Sequence, residues 1–180
     1  MFQHIENLDR EITIFINNLS NHYLDNIMIV VSNKYVWIPL YLYLIYWLWK
    51  FDPKNFKVNL IICVSSVVIS DHITSSIMKP YFERLRPCHD NSMIEFINIV
   101  YGCGKKFSFA SSHASTTFSL ASIFFMVSKR NFKILFLWSI LIGYSRIYLG
   151  VHFFFDVIFG FFIGFLTSFL FYRISKKYLA

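Results

Sequence analysis

With 180 residues, 56% of them hydrophobic and 21% aromatic against only 15% charged, the chain cannot cover itself with polar surface in water. That composition excludes an ordinary soluble domain and leaves lipid as the solvent. The net charge of +7 does not indicate nucleic acid, because Lys and Arg fall mainly in short gaps between apolar runs, as membrane flanks do.

The chain, 1–180, reads as a single all-α domain, a polytopic membrane helical bundle of about five transmembrane helices plus an N-terminal interfacial amphipathic helix. Ile5, Leu8, Ile12, Phe15, Ile16 and Leu19 recur at helical spacing, predicting an amphipathic helix over 5–19 that is too polar to span. A second short piece over 23–31 completes an interfacial segment, 1–32, ahead of a transmembrane bundle at 33–180. Spans are expected at 34–49, 58–78, 112–128, 132–149 and 153–172, each near the length needed to cross the hydrocarbon core. The one long connection is the polar loop 80–111, where Cys88 and Cys103 are placed so that a disulfide is conceivable in an oxidising compartment.

Basic residues set the orientation. Lys50, Lys54 and Lys57 follow the first span, Lys129, Arg130 and Lys133 follow the third, and Arg173, Lys176 and Lys177 end the chain. By the positive-inside rule these gaps are cytoplasmic, so loop 80–111 faces outward. Lys79, Arg84, Arg86, Lys105, Lys106 and Arg146 are then left on the outer side, where topology gives them no role. Arg84, Lys105 and Lys106 are assigned to pairing with Glu83, Asp90 or lipid headgroups; the others suggest an anion site.

Alternation of the spans carries three segments to that outer face: Lys79 through Arg86-Pro87, then Ala110-Ser111-Ser112-His113, then Ser145-Arg146 with His152 and Asp156. Lys79, Arg86 and Arg146 offer a cationic cage whose Arg forks match phosphate oxygens. Ser111 and Ser112 open a helix, where backbone N–H groups and the dipole favour an anion. His152 and Asp156, four apart, share a helical face, so the carboxylate orients the imidazole. His113 is a second imidazole, suited to protonating a leaving oxygen. A metal site built from His113, His152 and Asp156 is disfavoured, because the nearby fixed cations would repel the ion. Asp71 and His72, inside the second span, are read as supporting the site rather than reacting.

These segments resemble the signature of the type 2 phosphatidic acid phosphatase family, or lipid phosphate phosphatases: K-x6-RP, PSGH and S-R-x5-H-x3-D. Lys79 to Pro87 matches the first in spacing, and Ser145, Arg146, His152 and Asp156 match the third. In the second, Ala110 and Ser112 stand where the family has Pro and Gly, while Ser111 and His113 are kept. The resemblance implies that His152 attacks phosphorus, Asp156 assists and His113 protonates the departing oxygen. It implies that Lys79, Arg86, Ser111, Ser112, Ser145 and Arg146 hold the phosphate, with no metal or other cofactor. The expected partners are a lipid phosphate substrate and membrane lipids. The expected location is a bacterial inner membrane, with the site facing the periplasm or cell exterior. Undecaprenyl diphosphate, phosphatidylglycerol phosphate, phosphatidic acid and lipid A phosphate all remain open as substrates. The competing reading is a protein that binds or transports lipid headgroups without hydrolysing them.

Overall fold

The computed structural model describes residues 2–179, and every regular element among them is helical apart from one isolated β-bridge. Helix α1 (Phe2–Asn17) and α2 (His22–Ser32) precede a one-turn 3-10 segment (Lys34–Trp37) that runs into α3 (Ile38–Phe51). The α2 and 34–51 rods meet at a bend of 62°. Asn33 makes this corner, its side chain accepting from Tyr35 N at 3.0 Å while Pro39 starts the next helix.

The longest rod in the first half is continuous from Phe56 to Phe82: α4 (Phe56–His72), a π-helical stretch (Ile73–Met78) and α5 (Lys79–Phe82). It runs a few residues past the expected end at 78. The reason lies at Pro80, which has no N–H and would crowd the carbonyl four residues back in a regular α-helix. The π stretch widens the turn, so that Lys79 N–H reaches Thr74 O instead, and the helix continues until Glu83 adopts the left-handed conformation at φ 47°. After the loop come α6 (Ser112–Val127), α7 (Ile134–Tyr148) and α8 (Phe154–Leu179). Phe56–Phe82 and Phe154–Lys177 are each long and apolar enough to cross a membrane, and the bent pair 22–51 makes a third candidate. The expected spans 112–128 and 132–149 correspond to α6 and α7, of 16 and 15 residues.

The bundle is apolar on its outside: Phe162, Phe165, Phe169 and Leu170 of α8 and Ile61 and Val64 of α4 are exposed. Inside, helices approach through small residues. A Cβ on Gly160 would lie 2.6 Å from Ser111 O and 2.9 Å from Ala114 Cβ, so the G-x-x-x-G of Gly160 and Gly164 seats α8 on α6. Ser66 and Ser119 share a hydrogen bond at 2.7 Å, as do Thr117 and Ser139 at 2.8 Å, tying α4 to α6 and α6 to α7.

Helix α1 buries a polar stripe as well as apolar residues. The polar stripe has Asp9 2%, Thr13 0% and Asn17 0% exposed, whereas Ile5, Leu8 and Phe15 face outward. Only Asp9, Thr13 and Asn17 form this inward polar stripe onto α7 and α8: Ile14 and Ile16 pack on the core beside it, and Glu6, Asn7 and Glu11 are exposed along with Ile5, Leu8 and Phe15. A bundle whose outside is hydrocarbon accepts this arrangement, because the interior supplies backbone partners that lipid cannot.

Candidate active site

The connection Leu149–Phe153 folds tightly between α7 and α8. His152 N and Val151 N both donate to Arg146 O at 3.2 Å, and Gly150 takes φ 70° with Ile97 and Asn98 packed against it. His152 is thereby 1% exposed and Asp156 0%. Asp156 Oδ2 accepts from His152 Nδ1 at 3.3 Å and from Phe153 N at 2.9 Å. A carboxylate only accepts, so Nδ1 carries the hydrogen and Nε2 keeps a free lone pair. Burial pushes the His152 imidazole well below its ordinary value, with the fields of Arg146, Arg86, Lys79 and Arg84 acting in the same direction. The ring is neutral at physiological pH.

The other oxygen of Asp156 leads out of the motif. Oδ1 accepts from Arg84 Nη1 at 2.9 Å, and Arg84 Nη2 donates to Asp9 of α1 at 2.6 Å. Asp9 Oδ1 in turn accepts from Phe155 N at 2.8 Å, and Thr13 Oγ1 from Phe154 N at 3.1 Å. Side chains of α1 therefore cap the first free N–H groups of α8. Asn17 finishes the clamp, donating to Tyr148 O at 2.7 Å and accepting from Asn98 N at 2.7 Å. Arg84 is thus no surface cation paired with Glu83 or Asp90. Its guanidinium lies 3.8 Å over the Phe153 ring, between two carboxylates that sequence spacing does not connect.

Loop 80–111 delivers Arg86. The strand-like bridge Leu85–Phe107, a hydrogen bond from Arg86 N to Lys106 O at 3.2 Å and the Cys88–Cys103 disulfide close its base. Arg86 Nη1 then donates to Cys103 O at 2.9 Å and Nε to Phe107 O at 3.3 Å. Lys79 Nζ donates to Ser112 Oγ at 2.6 Å, which draws the first and second segments together. Arg146 donates to Ser32 of α2, and its Nε is buried with no partner. Among the described residues no carboxylate lies within ion-pairing distance of Lys79, Arg86 or Arg146.

Lys79, Arg86, Ser112, His113 and His152 line the mouth of one cavity of about 920 Å³, joined there by Lys105. The cavity runs on between α3, α4, α6 and α7 to Leu48 and Phe124, at the far end of the bundle. Four expected residues do not line it: Asp156 lies behind His152, Arg146 reaches Ser32, and Ser111 and Ser145 are engaged within their own helices. Ser111 is buried as the N-cap of α6, accepting from Ala114 N at 3.5 Å, and Ser145 donates to Ile142 O at 2.7 Å within α7. Asp9 escaped the sequence reading: it shares its wheel with other polar residues, and its partners lie 75 and 146 positions away.

Residues 56–179 match the profile of the PAP2 superfamily. Over 96% of this chain and 75% of the relative, the sequence is 31% identical to a lipid A 4'-phosphatase of Porphyromonas gingivalis. The crystal structure of LpxE from Aquifex aeolicus superposes with a TM-score of 0.66 at 27% identity, covering 91% of this chain and 93% of that one. A PAP2-type phosphatidylglycerolphosphate phosphatase from Bacillus subtilis shares the fold, with a TM-score of 0.70 at 21% identity over 97% of this chain and 87% of that one. Fold and relatives together make this a membrane-embedded phosphatase. The chain belongs to the PAP2 superfamily.

Proposed function

We propose that the protein removes phosphate from a membrane lipid through a phosphohistidine on His152, at the extracytoplasmic face of a bacterial inner membrane. The observation that carries this reading is the trio Lys79, Arg86 and Arg146: converging cations, buried or half-buried, with no carboxylate within ion-pairing distance among the described residues, around a neutral imidazole. Charges held so are costly unless an anion completes them. A phosphate ester does so, and the unpartnered Arg146 Nε is a ready donor to it.

In the proposed reaction the phosphate enters among these cations and the N-terminal turn of α6, with Ser112 beside it. His152 Nε2 attacks phosphorus as the P–O bond to the lipid breaks, and His113 supplies the proton that the departing oxygen needs. Asp156 holds Nδ1–H and stabilises the positive ring that results. Water then attacks the phosphorus, His113 takes its proton, and the N–P bond breaks to free inorganic phosphate and His152. No step requires a metal ion. The apolar length of the cavity, from Trp37 to Leu48 and Phe124, takes the lipid chain.

The outward orientation is supported by the basic flanks at 50–57, 129–133 and 173–177, all at the end away from the site. A phosphorylated amino-sugar lipid is favoured as substrate by the relative that is 31% identical. Purified protein, incubated with a panel of lipid phosphates in the presence of a chelator, is expected to release phosphate. His152→Ala is expected to abolish both this release and an acid-labile phosphoenzyme trapped by quenching. Phosphate release unchanged in His152→Ala would refute the mechanism. Lipid binding without release from any substrate would point instead to a headgroup-binding or transport protein.

A further inference from the structure

A carboxylate lines the same cavity below the phosphate cage. Asp71 lies on α4 eight residues before Lys79, across the π-helical stretch, and is linked to it through Ser75 and Ser112. The sequence reads it as supporting the site, and its side chain also faces the space that the lipid would fill, while its neighbour His72 does not line the cavity. Asp71 Oδ1 accepts from Ser75 Oγ at 3.1 Å. Among the described residues no donor meets its Oδ2, and no cation lies within ion-pairing distance.

From Ser75 a polar ladder climbs the wall, with Ser75 Oγ 2.8 Å from Ser112 Oγ and Ser112 Oγ receiving Lys79 Nζ at 2.6 Å. The wall contributed by α3 and the turn before it is Lys34, Trp37, Tyr41, Leu44, Ile45 and Leu48, and among the described residues neither of its free donors, the Lys34 ammonium and the Tyr41 hydroxyl, bonds to Asp71. Asp71 is exposed to the open cavity, so a lipid that fills the cavity displaces water from this carboxylate and must offer it donors in exchange.

We propose that Asp71 is a specificity subsite for a hydrogen-bond donor that the substrate carries between its phosphate and its chains. The fitting class is a lipid with an amide N–H or hydroxyl there, such as an N-acylated amino-sugar phosphate. Diacyl phosphatidic acid offers only ester acceptors at that level, and a polyprenyl phosphate offers nothing polar. The inference rests on the lipid phosphatase reading and narrows it.

The test compares kcat/KM for an N-acylated amino-sugar phosphate lipid, a phosphatidic acid of matched chain length and a polyprenyl phosphate in mixed micelles. The wild-type enzyme is expected to favour the donor-bearing lipid by at least about tenfold, the scale of one hydrogen bond to a charged group. Asp71→Leu, a benign exchange for an apolar helix, is expected to erase that preference and leave phosphatidic acid within about twofold. Asp71→Asn, which keeps an acceptor without the charge, is expected to fall between. Equal loss on all three lipids, or no wild-type preference, would overturn the subsite. Retention of the same lipids on immobilised protein separates the two readings. Selective binding that depends on Asp71 without any turnover would sink the phosphatase and keep the subsite. Turnover with neither selective binding nor selective rate would do the reverse.

Discussion

In the proposed reaction a neutral imidazole enclosed by arginine and lysine resists a proton yet attacks phosphorus, because an incoming phosphate cancels the surrounding charge. His152 gains this character from its burial and from Arg146, Arg86, Lys79 and Arg84, in that order. Two outcomes belong to this residue. Asp156→Asn leaves an amide that can present N–H to Nδ1 and stabilise the wrong tautomer, so kcat is expected to drop by about 10³-fold or more with KM little changed, as steady-state kinetics would show. The second is thermodynamic. An unfolded chain takes up a proton at His152 near the ordinary imidazole value of 6.5, while the folded protein does not until well below it. The unfolded state therefore binds more protons in that window, and stability falls as pH drops below about 6.5. Thermal melts between pH 8 and pH 5 should show this decline, and saturating inorganic phosphate should flatten it by favouring the protonated ring.

Among the elements, α1 and α8 shape the site. Asp9 joins α1 through Arg84 to His152–Asp156, the pair proposed to react, so Asp9→Asn leaves Arg84 concentrated on Asp156 and weakens the support that carboxylate gives the ring. A fall in kcat of about tenfold is expected, with a pH profile displaced to lower pH, which a simple loss of folded enzyme would not produce. Combining it with Arg84→Gln should give less than the sum of the two effects, because both act along one path. On α8, Gly160→Val would push side-chain atoms into Ser111 and Ala114, with an expected cost of about 1–3 kcal/mol in a denaturation assay and displacement of the α6 N-terminus. The helices themselves were legible from hydropathy, and α6, α7 and the start of α8 lie within a few residues of expectation. The π stretch at 73–78 was not, because nothing local marks it except Pro80, whose effect reaches backward along the chain. Nor was the direction of α1, since its polar stripe reads like a water-facing one until the backbone groups it meets are known.

For the whole molecule, alternation of apolar runs sufficed to bring Lys79, His113, Arg146 and His152 to one end, and the structure does unite them. What alternation does not convey is the depth of the cavity or the tie from Asp9 to Asp156, both of which depend on packing between distant segments. Orientation in the membrane is open to direct measurement. Cys88 and Cys103 are paired and Cys63 is buried, so Tyr101→Cys introduces a single accessible thiol on the exposed part of loop 80–111. An impermeant maleimide is expected to label it in intact spheroplasts; labelling only after lysis would place the site on the cytoplasmic side.

Helix α1 grips the catalytic end with its polar side and shows Ile5, Leu8 and Phe15 to the surroundings. In a bilayer the interface that meets Ile5, Leu8 and Phe15 would press on that outer side as one jaw of the clamp, the protein supplying the other. Stripping the enzyme into a thin detergent shell relaxes the first jaw without touching any reacting group. Turnover per enzyme should accordingly rise on transfer from micelles to a bilayer nanodisc, and the rise should shrink when Ile5 and Leu8 are replaced by serine, making lateral pressure at the membrane surface a quantity this enzyme senses.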